Sequence, residues 1–149
     1  MEIERKFLID TLPTDLSNYP FHQLEQGYLC TKPVVRIRRE DNNYYLTYKS
    51  KGLMVREEYN LPLTKEAYEH LLSKVDGILI SKKRYLIPLP ENLTIELDIF
   101  EGKLAPLILA EVEFDTEDTA NAFIPPKWFG KDVTYSTEYH NSTLSRKKL

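Results

Sequence analysis

The sequence has few cysteines and glycines and no long apolar segment. Its one cysteine, Cys30, excludes a disulfide within the chain. Neither a glycine-rich phosphate loop nor a dinucleotide-binding fingerprint is present, so side chains would have to hold any phosphate group. No apolar run approaches the ~20 residues needed to cross a bilayer. The sequence begins with charged residues where a signal peptide would be apolar. We therefore predict a cytoplasmic protein with no membrane partner.

The net charge of −3 gives no general attraction to nucleic acid or to an anionic membrane. A polyanion could bind only through a local cluster of basic residues, and we expect no nucleic-acid partner. The chain has 149 residues, of which 42% are apolar and 29% charged. These values are ordinary for a globular protein, and we expect residues 1–149 to form a single domain.

Most segments between turn signals alternate polar with apolar residues, which favours strands over helices. Eight strands are predicted, near residues 2–9, 24–30, 33–40, 44–50, 54–60, 78–87, 92–100 and 107–114. Tight turns, such as Asp41-Asn42, would make neighbouring strands antiparallel. Helical spacing and capping residues predict helices at 64–76, where Gly77 would end the helix, and at 116–123 and 136–146.

Like charges recur at two-residue spacing in one strand after another, where they share a face. The acidic pairs are Glu2/Glu4, Glu96/Asp98 and Glu111/Glu113, and the basic pairs are Arg36/Arg38 and Lys82/Arg84. With Lys6, Lys49, Arg56 and Glu58, the same faces carry seven acids and seven bases. A sheet face open to water would explain any one strand. Repeated like-charged pairs instead predict ligands of opposite charge, because so many charged side chains cannot be buried without water or bound counter-ions.

The residue types indicate which ligands these are. Carboxylate clusters without histidine or cysteine suit hard cations such as Mg²⁺ or Mn²⁺. Arginine and lysine clusters suit phosphate oxygens. Both kinds of cluster on one surface predict a site for a metal-bound polyphosphate.

An ordered set of motifs resembles the CYTH domain, also called the triphosphate tunnel metalloenzyme superfamily. The motifs are Glu2-x-Glu4-x-Lys6, Gln26-Gly27-Tyr28-Leu29, Arg36-x-Arg38, Leu46-Thr47-x-Lys49, Arg56-x-Glu58, Lys82-x-Arg84-Tyr85, Glu96-x-Asp98-x-Phe100-x-Gly102, Ala110-Glu111-Val112-Glu113-Phe114 and Tyr139-x-Asn141. They cover almost the whole chain in order, which makes the set far more specific than its first member alone.

The resemblance implies an α+β, mainly β fold: an eight-stranded antiparallel β-barrel, closed into a tunnel, with flanking helices. It assigns the metal ligands to Glu2, Glu4, Asp98, Glu111 and Glu113, with Glu58 and Glu96 as further candidates. It assigns triphosphate binding to Lys6, Arg36, Arg38, Lys49, Arg56, Lys82 and Arg84. Tyr139 and Asn141 are candidates for closing one mouth of the tunnel, whereas His22, His70 and His140 are expected in surface or structural roles.

We expect hydrolysis of the terminal phosphate of inorganic tripolyphosphate, with some nucleoside triphosphate hydrolysis. Lys6, Glu2 and Glu4 would be catalytic, and two Mg²⁺ or Mn²⁺ ions would take part. The alternatives on the same fold are a class IV adenylate cyclase and a thiamine triphosphatase. An alternative of another class is a non-catalytic polyphosphate or nucleotide sensor. The apolar face of the strands must be covered by helices or by a second subunit, which makes a homodimer a further expectation.

Overall fold

The computed structural model describes residues 1–147, which form one antiparallel sheet with short helices around it. The strands are β1 (Glu2–Leu8), β2 (Phe21–Thr31), β3 (Val34–Glu40), β4 (Asn43–Lys49), β5 (Val55–Arg56), β6 (Glu58–Leu63), β7 (Asp76–Leu89), β8 (Leu93–Phe100) and β9 (Ile108–Glu113). The α-helices are α1 (Lys65–Leu72), α2 (Glu117–Ala122) and α3 (Asn141–Leu144). No helix within 1–147 is long and apolar enough to cross a membrane.

The sheet curls into a nearly closed barrel because its two end strands are neighbours in the chain. The strand order is β5-β1-β9-β8-β7-β2-β3-β4-β6, and only Glu57 separates β5 from β6. β5 pairs with β1, whereas β6 pairs with β4. The predicted antiparallel barrel is confirmed, but the predicted strand at 54–60 is two strands. The strand pairing is interrupted at Glu57, whose backbone N–H donates to Ser50 Oγ at 2.8 Å.

Outside the barrel, an apolar layer covers the outward faces of β1, β8 and β9. Ile3, Ile95, Leu97 and Val112 are all buried in it, together with Ala120 of α2. This confirms that these side chains point outward and are covered by helical segments. On β6, however, the outward-facing Tyr59 and Leu61 remain 60% and 59% exposed.

A second apolar cluster lies inside the barrel, on the same strand faces as the charged residues, and closes one end of the lumen. Val34, Ile80, Phe100 and Leu109 belong to it, and Leu144 of α3 packs among them. Because β-strand side chains alternate, these residues share their faces with the charged pairs further along the same strands. The lumen is therefore a charged cavity with one apolar end.

The helices are shorter than the sequence predicts. α1 begins where expected, with Thr64 Oγ1 accepting from Ala67 N at 3.1 Å, but it ends at Leu72 instead of residue 76. The predicted helix at 136–146 is broken by extended backbone at His140 into a 3₁₀ turn and α3. Gly77 does not end a helix but lies in β7 with φ of 76°, where a Cβ atom would clash with the backbone oxygen of Ser145. The glycine therefore lets residues 139–146, called the C-terminal segment below, dock against β7.

Candidate functional site

The charged cavity inside the barrel encloses about 690 Å³, including space open to solvent. All the predicted site residues line it except Lys82, Asp98 and Tyr139. The lining residues are Glu2, Glu4, Lys6, Tyr28, Val34, Arg36, Arg38, Lys49, Arg56, Glu58, Arg84, Glu96, Glu111, Glu113, His140, Asn141 and Ser142.

The acidic side chains come together because their strands are neighbours. Glu4 pairs with Glu113 across β1 and β9, and Glu96 pairs with Glu111 across β8 and β9. Burial raises the pKa of Glu4 well above its usual range, and Glu111 and Glu2 raise it further. Burial also raises the pKa of Glu2 to about 7, although Lys49 lies 3.0 Å away. These carboxyl groups are therefore too crowded for all of them to be ionised at neutral pH without another cation.

The pKa of Glu111 is shifted in the opposite direction to that of Glu4. Burial raises its pKa, but Lys6 and Arg84 outweigh burial and hold the pKa well below its usual range. Contact with the Glu4 carboxyl acts in the same direction, so the Glu4 carboxyl takes up a proton more readily than the Glu111 carboxyl does. Two neighbouring carboxyls of this kind form an oxygen-only donor set, which a hard divalent cation can occupy by displacing a bound proton. Among residues 1–147, no three potential ligand side chains are already at metal-binding spacing.

The basic side chains on β3 have few partners. Arg36 is 3% exposed, its Nε atom has no hydrogen-bond partner, and its nearest carboxylate, Glu58, is 3.9 Å away. Arg38 donates from Nε and Nη2 to Gln26 Oε1, at 3.1 and 3.0 Å. Burial, together with Arg36 and Arg84, lowers the pKa of Arg38 to about 10. The buried Arg36 and the half-buried Arg38 thus line the cavity, one with a carboxylate no nearer than 3.9 Å and the other with a neutral amide as its partner, as a polyanion site requires.

Lys82 and Asp98 lie behind the cavity lining. Both side chains are fully buried, and Lys82 Nζ is 2.7 Å from Asp98 Oδ2. Burial lowers the pKa of Lys82 to about 8, although Asp98 opposes the shift. The two residues support the wall from behind, and Asp98 contacts the lining through Arg84.

The C-terminal segment forms part of the cavity wall. Lys6 Nζ donates to the backbone oxygen of Tyr139 at 3.2 Å, and Lys82 Nζ donates to Asn141 Oδ1 at 3.5 Å. The side chain of Tyr139 packs against the apolar cluster, whereas His140 lines the cavity. Burial, together with Lys6 and other nearby cations, lowers the pKa of His140 to about 4, so its imidazole is neutral at physiological pH.

A model of the CYTH domain family matches residues 1–146. The chain belongs to the CYTH domain family. An inorganic triphosphatase of Nitrosomonas europaea is 43% identical to it over 148 residues, covering 97% of this chain and 96% of the relative. One of Acetivibrio thermocellus is 33% identical over 154 residues, covering 96% and 92%. A crystal structure of an inorganic triphosphatase, 40% identical, aligns with a TM-score of 0.75 over 99% of this chain and 96% of that chain. The family resemblance predicted from the motifs is confirmed.

Sequence reasoning missed several residues of this CYTH domain's cavity. His140 was expected in a surface or structural role, yet it lies beside the predicted site residue Asn141 in the cavity wall. The prediction of a continuous helix at 136–146 did not place His140 in the cavity. In the structure, the extended backbone at His140 interrupts the helix and changes the direction of the chain there. Tyr28, which lines the cavity, was quoted in a motif but given no site role, because β2 lacks the charged pairs of the other strands. Gln26 is an uncharged polar residue two positions from Tyr28, and it could have indicated that this face of β2 belongs to the cavity wall.

Proposed function

We propose that this CYTH domain is a divalent-metal-dependent triphosphatase that hydrolyses the terminal phosphate of inorganic tripolyphosphate. The observation that carries the proposal is the pair Arg36 and Arg38, which line the same cavity as the crowded carboxyls: Arg36 is buried with its nearest carboxylate at 3.9 Å, and Arg38 is held by the neutral amide of Gln26. The cavity therefore offers cationic groups to phosphate oxygens and oxygen ligands to a metal. The names of the two relatives support the same chemistry.

The basic side chains would bind and orient the substrate. Arg36, Arg38 and Arg84 reach the cavity from β3 and β7, and Lys49 and Arg56 reach it from β4 and β5. Arginine can donate two parallel hydrogen bonds to one phosphate, which fixes its orientation as well as its charge. Lys82 would act behind this layer, where it binds the same Asp98 carboxylate that holds Arg84.

The carboxylates would hold the metal. Glu2, Glu4, Glu111 and Glu113 surround the acidic part of the cavity, with Glu58 and Glu96 beside them and Asp98 behind Arg84. When bound, Mg²⁺ or Mn²⁺, with two ions in the reactive complex, would neutralise phosphate charge and acidify the attacking water. The terminal P–O bond would break as water bonds to phosphorus, and the products would be orthophosphate and pyrophosphate.

Lys6 is placed to contact the group that is transferred. It shares a strand face with Glu2 and Glu4, and its Nζ lies 3.9 Å from Glu111 Oε1 and 3.2 Å from Tyr139 O. The tether to Tyr139 holds the ammonium group at the junction of the acidic side chains and the C-terminal segment. From there it would stabilise negative charge on the terminal phosphate oxygens.

The lining favours an inorganic substrate over ATP or thiamine triphosphate. Within the described residues, Tyr28 and His140 supply the rings of the lining and Val34 supplies the aliphatic side chain. The others are polar or charged, which leaves little surface on which a nucleobase or thiamine ring could stack. A cyclase would also need to bind the ribose and base in order to close the ring.

The test is incubation with Mg²⁺ or Mn²⁺ and, separately, tripolyphosphate, ATP and thiamine triphosphate, followed by chromatographic identification of the products. We expect orthophosphate and pyrophosphate from tripolyphosphate, and no reaction after chelation of the metal. Arg38→Gln should raise the KM for tripolyphosphate. The matched control is Arg39→Gln, because Arg39 is the adjacent, exposed arginine and bonds Asp41 O on the outer side. Cyclic AMP from ATP would favour the cyclase instead, and tight binding without turnover would favour the sensor.

A further inference from the structure

The guanidinium of Arg38, a half-buried residue, is held by a neutral amide instead of a carboxylate. Gln26 is fully buried, and its Oε1 accepts from both Nε and Nη2 of Arg38, at 3.1 and 3.0 Å. The contact is fixed by the sheet, because Gln26 and Arg38 are cross-strand partners in β2 and β3. Arg38 lines the cavity and Gln26 does not, so the amide holds the guanidinium from behind.

This partner is unusual among the basic groups of the site. The others, Arg56 excepted, have a carboxylate oxygen at 3.9 Å or closer. Arg56 is half-buried like Arg38, but it donates to the backbone oxygen of Ser50 and not to a side-chain amide. In the part of the chain that the structure describes, Arg38 has no carboxylate at such a distance.

The geometry leaves one edge of the guanidinium available. Oε1 of Gln26 takes the edge formed by Nε and Nη2. The Nη1 side of the planar group is then directed away from Gln26, and this is the side that can donate to a ligand in the cavity. A carboxylate at position 26 could hold the same edge, but it would also cancel the charge.

The Gln26 amide is less favourable for local stability than a carboxylate would be, because it leaves a buried donor unsatisfied. Nε2 of Gln26 is buried and has no hydrogen-bond partner among the described residues. Rotating the amide by half a turn would place this donor against the guanidinium, which is also a donor, so the present orientation is the favourable one. Glutamate at this position would have no orphan donor and would pair with Arg38, so local stability alone favours the carboxylate.

We propose that Gln26 is a positioning residue for the substrate: it orients Arg38 towards the phosphates while leaving the arginine's full positive charge for them. The inference rests on the proposed function, since it assumes that a triphosphate occupies the cavity. It adds a specific role for an uncharged residue that contacts neither the substrate nor the metal ligands.

The experiment measures tripolyphosphate binding by calorimetry in the presence of EDTA, where the basic side chains act without metal or turnover. Gln26→Glu should weaken binding about tenfold or more, the usual size of a charge-assisted interaction. Its unfolding temperature should equal or exceed that of the wild-type protein. Gln26→Met, which removes the holding contact without adding charge, should weaken binding by a smaller factor.

A double-mutant cycle then tests whether the effect passes through Arg38. In an Arg38→Gln background, Gln26→Glu should change the dissociation constant less than twofold, near the error of such cycles. An equal loss with and without Arg38 would overturn the proposal, because the new charge would then act on the cavity as a whole. Unchanged binding in Gln26→Glu or Gln26→Met would overturn it as well.

The failure of this inference can be told apart from failure of the proposed function. If the wild-type protein does not bind tripolyphosphate, the function and the inference both fall. If the wild-type protein binds and hydrolyses tripolyphosphate while both Gln26 variants match it, only the role of Gln26 is wrong. Asn121→Asp is the control for an added negative charge, because Asn121 is exposed on α2 and does not line the cavity.

Discussion

Arg84 and Asp98 form a two-pronged ion pair across β7 and β8, with Nε to Oδ1 at 2.7 Å and Nη2 to Oδ2 at 2.9 Å. Lys82 Nζ also lies 2.7 Å from Oδ2, and the carboxylate is fully buried. Both oxygens of Asp98 are thus engaged by cations. This arrangement supports a role for Asp98 in holding Arg84 at the cavity, beside the metal-binding role that the motif implies.

Asp98→Asn separates these two roles. The variant leaves Lys82 and Arg84 buried without their shared counter-charge, so we expect a loss of about 3–5 kcal/mol in the free energy of unfolding, measured with urea. If Asp98 holds Arg84, the KM for tripolyphosphate should rise while the Mg²⁺ concentration for half-maximal activity stays the same. A large rise in that Mg²⁺ concentration at unchanged KM would instead make Asp98 a metal ligand. Asp115→Asn, at an exposed position, is the control.

The sequence predicts the faces of the strands well because the two-residue period fixes them. Glu2, Glu4 and Lys6 share the lumen face, and Ile3 is buried on the other side. Nothing in that period tells which strand lies beside which, so the partners of individual charges were not predictable. The contact between Arg38 and Gln26, for example, follows from the register of β2 and β3.

Irregular backbone accounts for the remaining differences. The interruption at Glu57 follows from closure of the barrel, because β5 pairs with β1 on one side of Glu57 and β6 pairs with β4 on the other. The break at His140 follows from docking of the C-terminal segment, in which Ile78 N donates to Ser145 O at 2.6 Å. Both are tertiary effects that override local propensity, and neither leaves a periodic signal in the sequence.

Lys6→Gln tests the proposed contact with the transferred phosphate. Removing a positive charge that acts mainly in the transition state should lower kcat by about 10²–10³-fold and change KM much less. The kinetic constants for tripolyphosphate hydrolysis at saturating Mg²⁺ would measure this. Lys83→Gln is a close control, because Lys83 lies on the outer face, with Nζ 5.2 Å from the ring centroid of Phe21. A change in KM alone would mean that Lys6 only binds the substrate.

Leu144→Ala tests the apolar closure of the barrel. Leu144 is 1% exposed among Val34, Ile80 and Phe100, so truncation should cost about 2–5 kcal/mol in the free energy of unfolding. The packing also anchors the segment that carries His140 and Asn141 to the cavity. We therefore expect faster amide hydrogen exchange at residues 140–145 even under conditions where the variant is fully folded.

The control for this variant is Leu61→Ala, since Leu61 is 59% exposed and should lose little stability. If Leu144→Ala were as stable as the wild-type protein, the C-terminal segment would not be held by its apolar contact. Unchanged exchange at 140–145 in a destabilised variant would mean that the segment is anchored through the Lys6 and Lys82 hydrogen bonds instead.

Glu2 makes the stability of the metal-free protein depend on pH. Its pKa is raised from 4.5 to about 7, chiefly by burial, so between these values the folded protein binds more protons than the unfolded chain. The stabilisation that the folded state gains by holding a proton on Glu2 therefore decreases as pH rises from about 4.5, and it is gone above about 7. Glu2→Gln cannot ionise and should escape this fall.

In EDTA, the variant and the wild-type protein should be about equally stable at pH 4.5 and differ by about 3 kcal/mol at pH 8, with the variant the more stable. Urea unfolding at a series of pH values measures the difference. His140 contributes the opposite slope, because its pKa is lowered to about 4 and the unfolded chain is protonated first, but both proteins share that contribution. A difference that stays constant from pH 4.5 to 8 would show that Glu2 titrates normally. Saturating Mg²⁺ should shrink the difference at pH 8, because a cation bound at Glu2 takes the place of the missing proton.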